Sequence, residues 1–371
     1  MNLLRGLVEH SKQYDWILTV SVFLLVAIGL MSLSSLSGVS AFPFFWRQLL
    51  WAGIGIVVFV SASFVDFRLF RTQSAAVFLF YLISVILLAA ILLLGVRVRG
   101  IKAWFQFAGV AVQPVELAKL ALVILLAKFF SKRHIEIYRI RHLVVSGLYV
   151  LVPTLLVLAQ PDLGSAIVLI AVWITVVLFS GMKVRHFFSL LLIGVAVACV
   201  AWFAVLLPYQ KARITSFLDP YRDPKGAGYQ MIQSMIAVGS GQTLGKGLGY
   251  GSQSHLHFLP EPETDFVFAA YAEEWGYVGT LILLGLYFMV LWRIVRIGMR
   301  ARDNFSRLYT LGFSALLFAQ TFIHIGMNMA VMPITGITLP FVSYGGSSLV
   351  MSLIGVGIVQ NIKINARREI E

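Results

Sequence analysis

Of the 371 residues only 12% are charged, and a single one is cysteine. So little charge excludes an ordinary soluble domain, which needs far more polar surface to cover its core. Cys199 stands alone inside an apolar run, which excludes a disulfide framework and a cysteine-based metal site. No series of alternating ten-residue segments occurs, so a transmembrane barrel is excluded as well. Internal repeats and low-complexity tracts are also missing, and nothing points to an inverted-repeat transporter. The first apolar stretch lacks a small-residue cleavage site and leads straight into another, so it reads as a retained span and not as a cleavable signal.

What is present is hydrocarbon. Apolar residues make up 59% of the chain, and the mean hydropathy is +0.89. Apolar runs long enough to cross a bilayer recur from end to end. They predict ten spans, at about 15–35, 45–64, 75–95, 114–130, 142–160, 163–181, 186–207, 265–292, 308–332 and 346–362. Residues 1–371 therefore read as a single all-α, polytopic integral membrane domain. One connection is long: residues 208–264, between the seventh and eighth spans, with an amphipathic helical pattern over Tyr229–Val238.

A net charge of +13 could suggest nucleic acid, but its placement suggests a membrane. With both termini in the cytoplasm, 19 of the 29 Lys and Arg residues fall on the cytoplasmic side, as the positive-inside rule requires. The basic excess then reports topology and contact with anionic headgroups, with no nucleic-acid partner implied. Nine of the 16 acidic residues fall on the outer side, including Glu116, Asp162, Glu261, Asp265 and Glu273. Chemistry is expected there.

Four stretches carry the candidate groups. In the first, Gln113-Pro114 opens the fourth span, and Glu116 and Lys119 share one helical face near its outer end. They form an intrahelical pair, or they line a polar cavity, since each charge in a bilayer costs about 2.5–3.5 kcal/mol. Just upstream, Arg97, Arg99 and Lys102 break the positive-inside rule beside Trp104, suggesting a site for a phosphorylated lipid. The second stretch holds Asp162, which caps the sixth span, faces a cavity, or does both. In the third, Asp265 enters the eighth span, where capping again competes with function. There Glu261, Glu263, Asp265, Glu273 and Glu274 crowd together with no local base, which would raise carboxyl pKa values toward general-base use. Lys246, flanked by Gly245 and Gly247, is the nearest cation in sequence, and it lacks the spacing of a nucleotide loop. The fourth stretch, Ser343–Ser348, offers either small residues for helix packing or donors for a phosphate. No histidine accompanies Ser343, so a serine hydrolase is rejected.

These stretches, in this order and spacing, resemble the SEDS family of cell-wall polymerases. The matching pieces are Gly100 and Trp104 with QPxExxK over Gln113–Lys119, QPDLG over Gln160–Gly164, and GAGYQxIQS over Gly226–Ser234. They continue through GSG and GKG within Gly239–Gly247, LPExxTDF over Leu259–Phe266, EExG over Glu273–Gly276, and SYGGSS over Ser343–Ser348. The wording around residues 251–261 is closer to the RodA-like elongation branch, with the FtsW-like division branch second. Two positions depart from the family pattern: Ala103 stands where arginine is common, and Val115 where serine is usual.

The resemblance implies a ten-helix fold that polymerises undecaprenyl-pyrophosphate-linked lipid II at the outer face of the bacterial cytoplasmic membrane. It also implies a class B penicillin-binding protein as transpeptidase partner, together with other membrane proteins of the elongation complex. Asp265 matches the family's essential aspartate, and Trp104, Glu116 and Lys119 match its other motif positions. Asp265 is thus expected as general base, with Trp104, Lys102, Arg99, Glu116, Lys119, Asp162, Lys246, Glu261 and Ser343 contacting substrate. No cofactor is required by this reading; a magnesium or manganese ion at the diphosphate is left open. A lipid II flippase is the competing activity.

Overall fold

Inside a bilayer every backbone N–H and C=O must be satisfied by the protein itself, so apolar runs become helices. The computed structural model describes residues 9–36, 42–65, 68–98, 101–107, 110–132, 140–182, 184–205, 208–226 and 228–368. Its helices are α1 (Trp16–Leu36), α2 (Phe42–Phe64), the short α3 (Arg68–Thr72), α4 (Ser74–Leu94), α5 (Pro114–Ser131), α6 (Ile140–Ala159) and α7 (Leu163–Phe179). They continue with α8 (Val184–Val200), α9 (Pro208–Leu218), α10 (Tyr229–Ser240), the single-turn α11 (Ser252–His255), α12 (Val267–Arg300), α13 (Asn304–Asn328) and α14 (Gly346–Arg368).

Among the described residues, seven helices are long and apolar enough to cross a membrane, and α7 and α8 are shorter apolar helices. With α5 they make the ten expected spans. The termini of the spans shift by a few residues. The clearest change is α12, which runs on to Arg300 where the hydropathy pattern stops near 292.

Helix α5 lies at the centre. From Pro114 to Phe130 every residue except Leu117 is buried. A helix apolar all round has no face to offer water or headgroups, so it packs inside. It touches α4, α6, α7, α13 and α14. Three charged side chains ride on it, Glu116, Lys119 and Lys128, all buried.

One element was not anticipated. Three short strands, β1 (Val96–Val98), β2 (Ile101–Phe107) and β3 (Val110–Val112), form an antiparallel meander. It sits at the α4–α5 connection, with β3 touching α14. The segment is too short and too mixed in hydropathy to show a strand period beside the long apolar runs around it.

Alternation of the helices puts the starts of α5, α7, α12 and α14 at one end, with the meander. The other end carries the basic residues. There Asp15 caps α1 through Leu18 N (3.0 Å) and is gripped by Arg293 of α12, whose Nε lies 3.0 and 3.1 Å from its two oxygens. Gln360 of α14 joins the same lock by accepting from Asp15 N at 2.8 Å.

Candidate active site

The segment leading into α12 carries Asp265, and three other parts of the chain hold its backbone. Ser343 Oγ donates to Thr264 O at 2.8 Å and accepts from Leu339 N at 2.9 Å. Tyr344 N donates to Glu263 O at 2.9 Å. Asn328, fully buried at the end of α13, donates from Nδ2 to Asp265 O (3.0 Å) and to His324 O (2.8 Å). Its Oδ1 accepts from Ala269 N at 3.0 Å, satisfying a first-turn N–H of α12 that the helix cannot bond itself. The cap position belongs to Phe266, which makes no side-chain cap bond. Asp265 is one residue too early to cap the helix, and its half-buried carboxylate faces Gly336, where an added Cβ would lie 3.6 Å from Oδ2.

The remaining motifs arrive at the same place. Gly164, from QPDLG, packs so closely on Thr335 and Ile337 that a Cβ would fall 3.0 and 2.6 Å from their side chains. Gln113 N, just before α5, donates to Ser347 Oγ at 3.0 Å. Gln48 of α2 completes the ring, donating to Ser343 O at 3.3 Å and accepting from Gly345 N at 3.2 Å. The four stretches thus form one interlocked layer across that end of the bundle.

Beneath it lies a buried charge group. Lys119 Nζ is 2.8 Å from Glu116 Oε1, and both side chains are almost fully enclosed. Asp162 caps α7 by accepting from Ser165 N at 2.9 Å. Burial pushes the Asp162 carboxyl above its ordinary range; the capping bonds and the nearby Lys119 pull it down, and Glu116 pushes it up. Capping and membership of the charged group therefore hold together for Asp162. Glu116 and Lys119 form the intrahelical pair.

Several expectations need correction. Glu273 and Glu274 do have local partners. Fully buried, Glu273 accepts from Lys246 Nζ (2.8 Å), Gln253 N (2.9 Å), Ser254 N (3.1 Å) and Ser254 Oγ (3.1 Å). Glu274 pairs with His255 Nε2 at 3.1 Å, accepts from Gly249 N at 3.1 Å, and receives Ser35 Oγ of α1. Lys246 is thereby engaged in holding the loop, 2.8 Å also from Ser252 Oγ, and it is not a free cation awaiting phosphate. Ser343 likewise has its donor and its acceptor committed to backbone, so it positions the Asp265 segment and offers no hydroxyl to substrate. Glu261 sits at φ +50°, and its carbonyl accepts from Thr264 N and Phe266 N, closing the turn before Asp265.

The glycine-rich stretch has a structural task. Gly276 (φ +64°) breaks α12, freeing backbone groups of the broken turn. Lys246 N and Gly247 N donate to Glu273 O and Glu274 O (3.0 Å each), while Tyr277 N and Val278 N donate to Gln242 O and Thr243 O. Gly245, at φ +82°, approaches so closely that a Cβ would lie 2.0 Å from Glu274 O. No side chain fits there.

Trp104 lies half-buried in β2, opposite Val96. Arg97 and Lys102 are backbone partners in the β1–β2 ladder; their side chains, and Arg99 altogether, lie outside the described residues. Among the described residues no group of three His, Cys, Asp or Glu is arranged to hold a metal ion. Asn328 and Gln48 are the contributors that sequence reasoning missed. A lone amide at the end of an apolar helix was the only available signal for each.

A family model described as "Cell cycle protein", covering the FtsW, RodA and SpoVE proteins, matches residues 13–368. The chain belongs to this family. Within it, the chain is 38% identical over 363 residues to stage V sporulation protein E of Bacillus subtilis, covering 95% of this chain and 98% of that protein. It is 39% identical over 322 residues to peptidoglycan glycosyltransferase MrdB of Escherichia coli K12, covering 85% of this chain and 84% of that protein. Among solved structures, a chain of a peptidoglycan synthase complex superposes with a TM-score of 0.80 at 36% identity, covering 95% of this chain and 98% of that chain. The rod shape determining protein RodA of Thermus thermophilus superposes with a TM-score of 0.70 at 31% identity, covering 94% and 96% respectively. The family assignment carries the multi-span membrane fold with it.

Proposed function

We propose that this family member is a peptidoglycan glycosyltransferase of the elongation type, polymerising undecaprenyl-pyrophosphate-linked lipid II. The observation that carries the reading is the interlocked layer around Asp265, in which Ser343, Tyr344 and Asn328 hold the backbone that presents its half-buried carboxylate. The name of the Escherichia coli relative supports the same activity.

In this reading Asp265 takes the proton from the acceptor sugar hydroxyl. The oxygen then attacks the anomeric carbon, and the bond to the undecaprenyl diphosphate breaks with its electron pair leaving on the diphosphate. A single displacement on an α-linked donor yields a β-linked glycan. Charge developing on the diphosphate needs nearby cations. Lys246 is committed to Glu273 and Lys119 to Glu116, so the reading assigns that role to Arg97, Arg99 and Lys102, which stand near Trp104 in the sequence. No step is assigned to a divalent ion.

The excess of basic residues at the opposite end supports a cytoplasmic face there and an active site open to the outside. A class B penicillin-binding protein is the partner in this reading, supported by the peptidoglycan synthase complex whose chain this one resembles. An Asp265→Asn variant, purified with such a partner and given lipid II, should lose about 10²–10⁴-fold of its glycan synthesis. Polymer made at the wild-type rate would remove Asp265 as base, and translocation of lipid II with no polymer would favour a flippase. Restoration of rod shape in a strain lacking its elongation polymerase separates that role from division.

A further inference from the structure

Past α13 the chain doubles back. Ala330 sits at φ +55°, and Val331 N and Met332 N both donate to Gly326 O, at 2.8 and 3.1 Å. Residues 333–339 then run as a strap without helix or strand, with Ile337 and Leu339 buried. We infer that His324 of α13 is a positioning residue for Asp265: its bond to Ile337 O fixes the strap so that Gly336 seats the Asp265 carboxylate. This role rests on Asp265 serving as the base.

Geometry is the first reason. Irregular backbone at membrane depth must have its polar groups met by the protein. Leu339 N donates to Ser343 Oγ at 2.9 Å, and Pro340 O accepts from the hydroxyl of Tyr287. Between Pro333 and Thr338, the one backbone hydrogen bond among the described residues comes from the fully buried His324, whose Nδ1 lies 2.7 Å from Ile337 O. A carbonyl only accepts, so Nδ1 is the donor. Gly164 of α7 also confines Ile337, since a Cβ there would lie 2.6 Å from that side chain. Gly336, the residue before Ile337, has φ +72°, and a Cβ on it would lie 3.6 Å from Asp265 Oδ2. Displacing Ile337 O therefore displaces the surface on which the carboxylate rests. Asn328, one turn further along α13, takes His324 O and holds the backbone of Asp265 itself. The two side chains together fix the strap and the residue it supports.

Cost is the second reason. His324 Nε2 is enclosed and meets no hydrogen-bond partner among the described residues. A polar atom buried unpaired costs free energy that a leucine at the same place would not incur. The ring is thus a poor choice for packing alone, and its single side-chain hydrogen bond is the one to the strap. Positions where a chain breaks a packing rule in this way are expected at functional sites.

The test takes the full chain with a class B penicillin-binding protein, supplies lipid II, and reads kcat and KM beside thermal melting. His324→Leu nearly keeps the volume and removes the donor. It should lower kcat roughly ten- to a hundredfold, the scale of a misplaced catalytic group, with KM near the wild-type value. His324→Asn returns an amide N–H close to the place of Nδ1 and should restore most of that loss. His324→Gln carries its amide to the place of Nε2 and should not, so these two variants decide the question if the leucine variant fails to fold. In an Asp265→Asn background, His324→Leu should lower the residual rate no further, because its effect passes through that carboxylate. Wild-type kcat in a leucine variant that melts lower, a raised KM with kcat unchanged, or equal kcat in the asparagine and glutamine variants overturns the inference. So does a full further loss in the Asp265→Asn background. A wild-type rate in Asp265→Asn alone removes the base, and the role of His324 with it; a crippled Asp265→Asn beside an unimpaired His324→Leu removes the role of His324 alone.

Discussion

Asn328 does for Asp265 what a cap does for a helix. Four hydrogen bonds meet on one buried residue, counting Ser234 Oγ, which donates to its carbonyl at 2.7 Å. Asn328→Ala leaves Asp265 O, His324 O and Ala269 N without these partners, and each buried group so stranded costs about 1–3 kcal/mol. Thermal melting should drop accordingly. In the polymerisation assay kcat should fall more than KM, because the carboxylate is displaced while the lipid-binding surfaces stay.

Asp162 offers a pH test at the same scale. Its folded-state carboxyl is raised by burial, so the folded chain holds a proton that the unfolded chain releases near the ordinary value of 3.8. The stability this contributes is present at low pH and is lost as pH rises above 3.8 through the folded value. Asp162→Asn still caps α7 and carries no charge to bury. Its melting temperature should vary less with pH and gain on the wild type as pH rises, and Asp162→Ala should lie about 1 kcal/mol below Asp162→Asn at any pH through the lost cap.

At the scale of elements, the broken helix α12 and the loop before it form one unit. Glu273 joins the ammonium of Lys246 to the backbone N–H groups of Gln253 and Ser254. Glu273→Ala leaves the N–H groups of Gln253 and Ser254 without their acceptor, at about 1–3 kcal/mol each, while the partly exposed Lys246 keeps Ser252 Oγ. Limited proteolysis should then cut within residues 241–258, which the wild type resists. Glu273→Gln, retaining an acceptor oxygen, should restore part of the protection. Equal cutting of wild type and Glu273→Ala would mean that the staple does not hold the loop.

Over the whole molecule, orientation is the question that charge answers. In a Cys199→Ser background, Lys225→Cys in the long loop should react with a membrane-impermeant maleimide on intact cells, and Arg302→Cys should not. The reverse pattern would invert the active-site face.

The spans and the basic end could be read from the chain, because transferring a segment into hydrocarbon depends on that segment's own side chains, whereas Asp265 was singled out by the family resemblance. What remained hidden were pairings. Lys246 and Glu273 stand 27 residues apart, and Thr264 and Ser343 stand 79 apart. Whether a charge is free or spent, or a hydroxyl open or committed, is settled within a few ångströms, and only the packed bundle brings such groups together. Of the five acidic residues crowded together in the linear chain, Glu273 and Glu274 became staples.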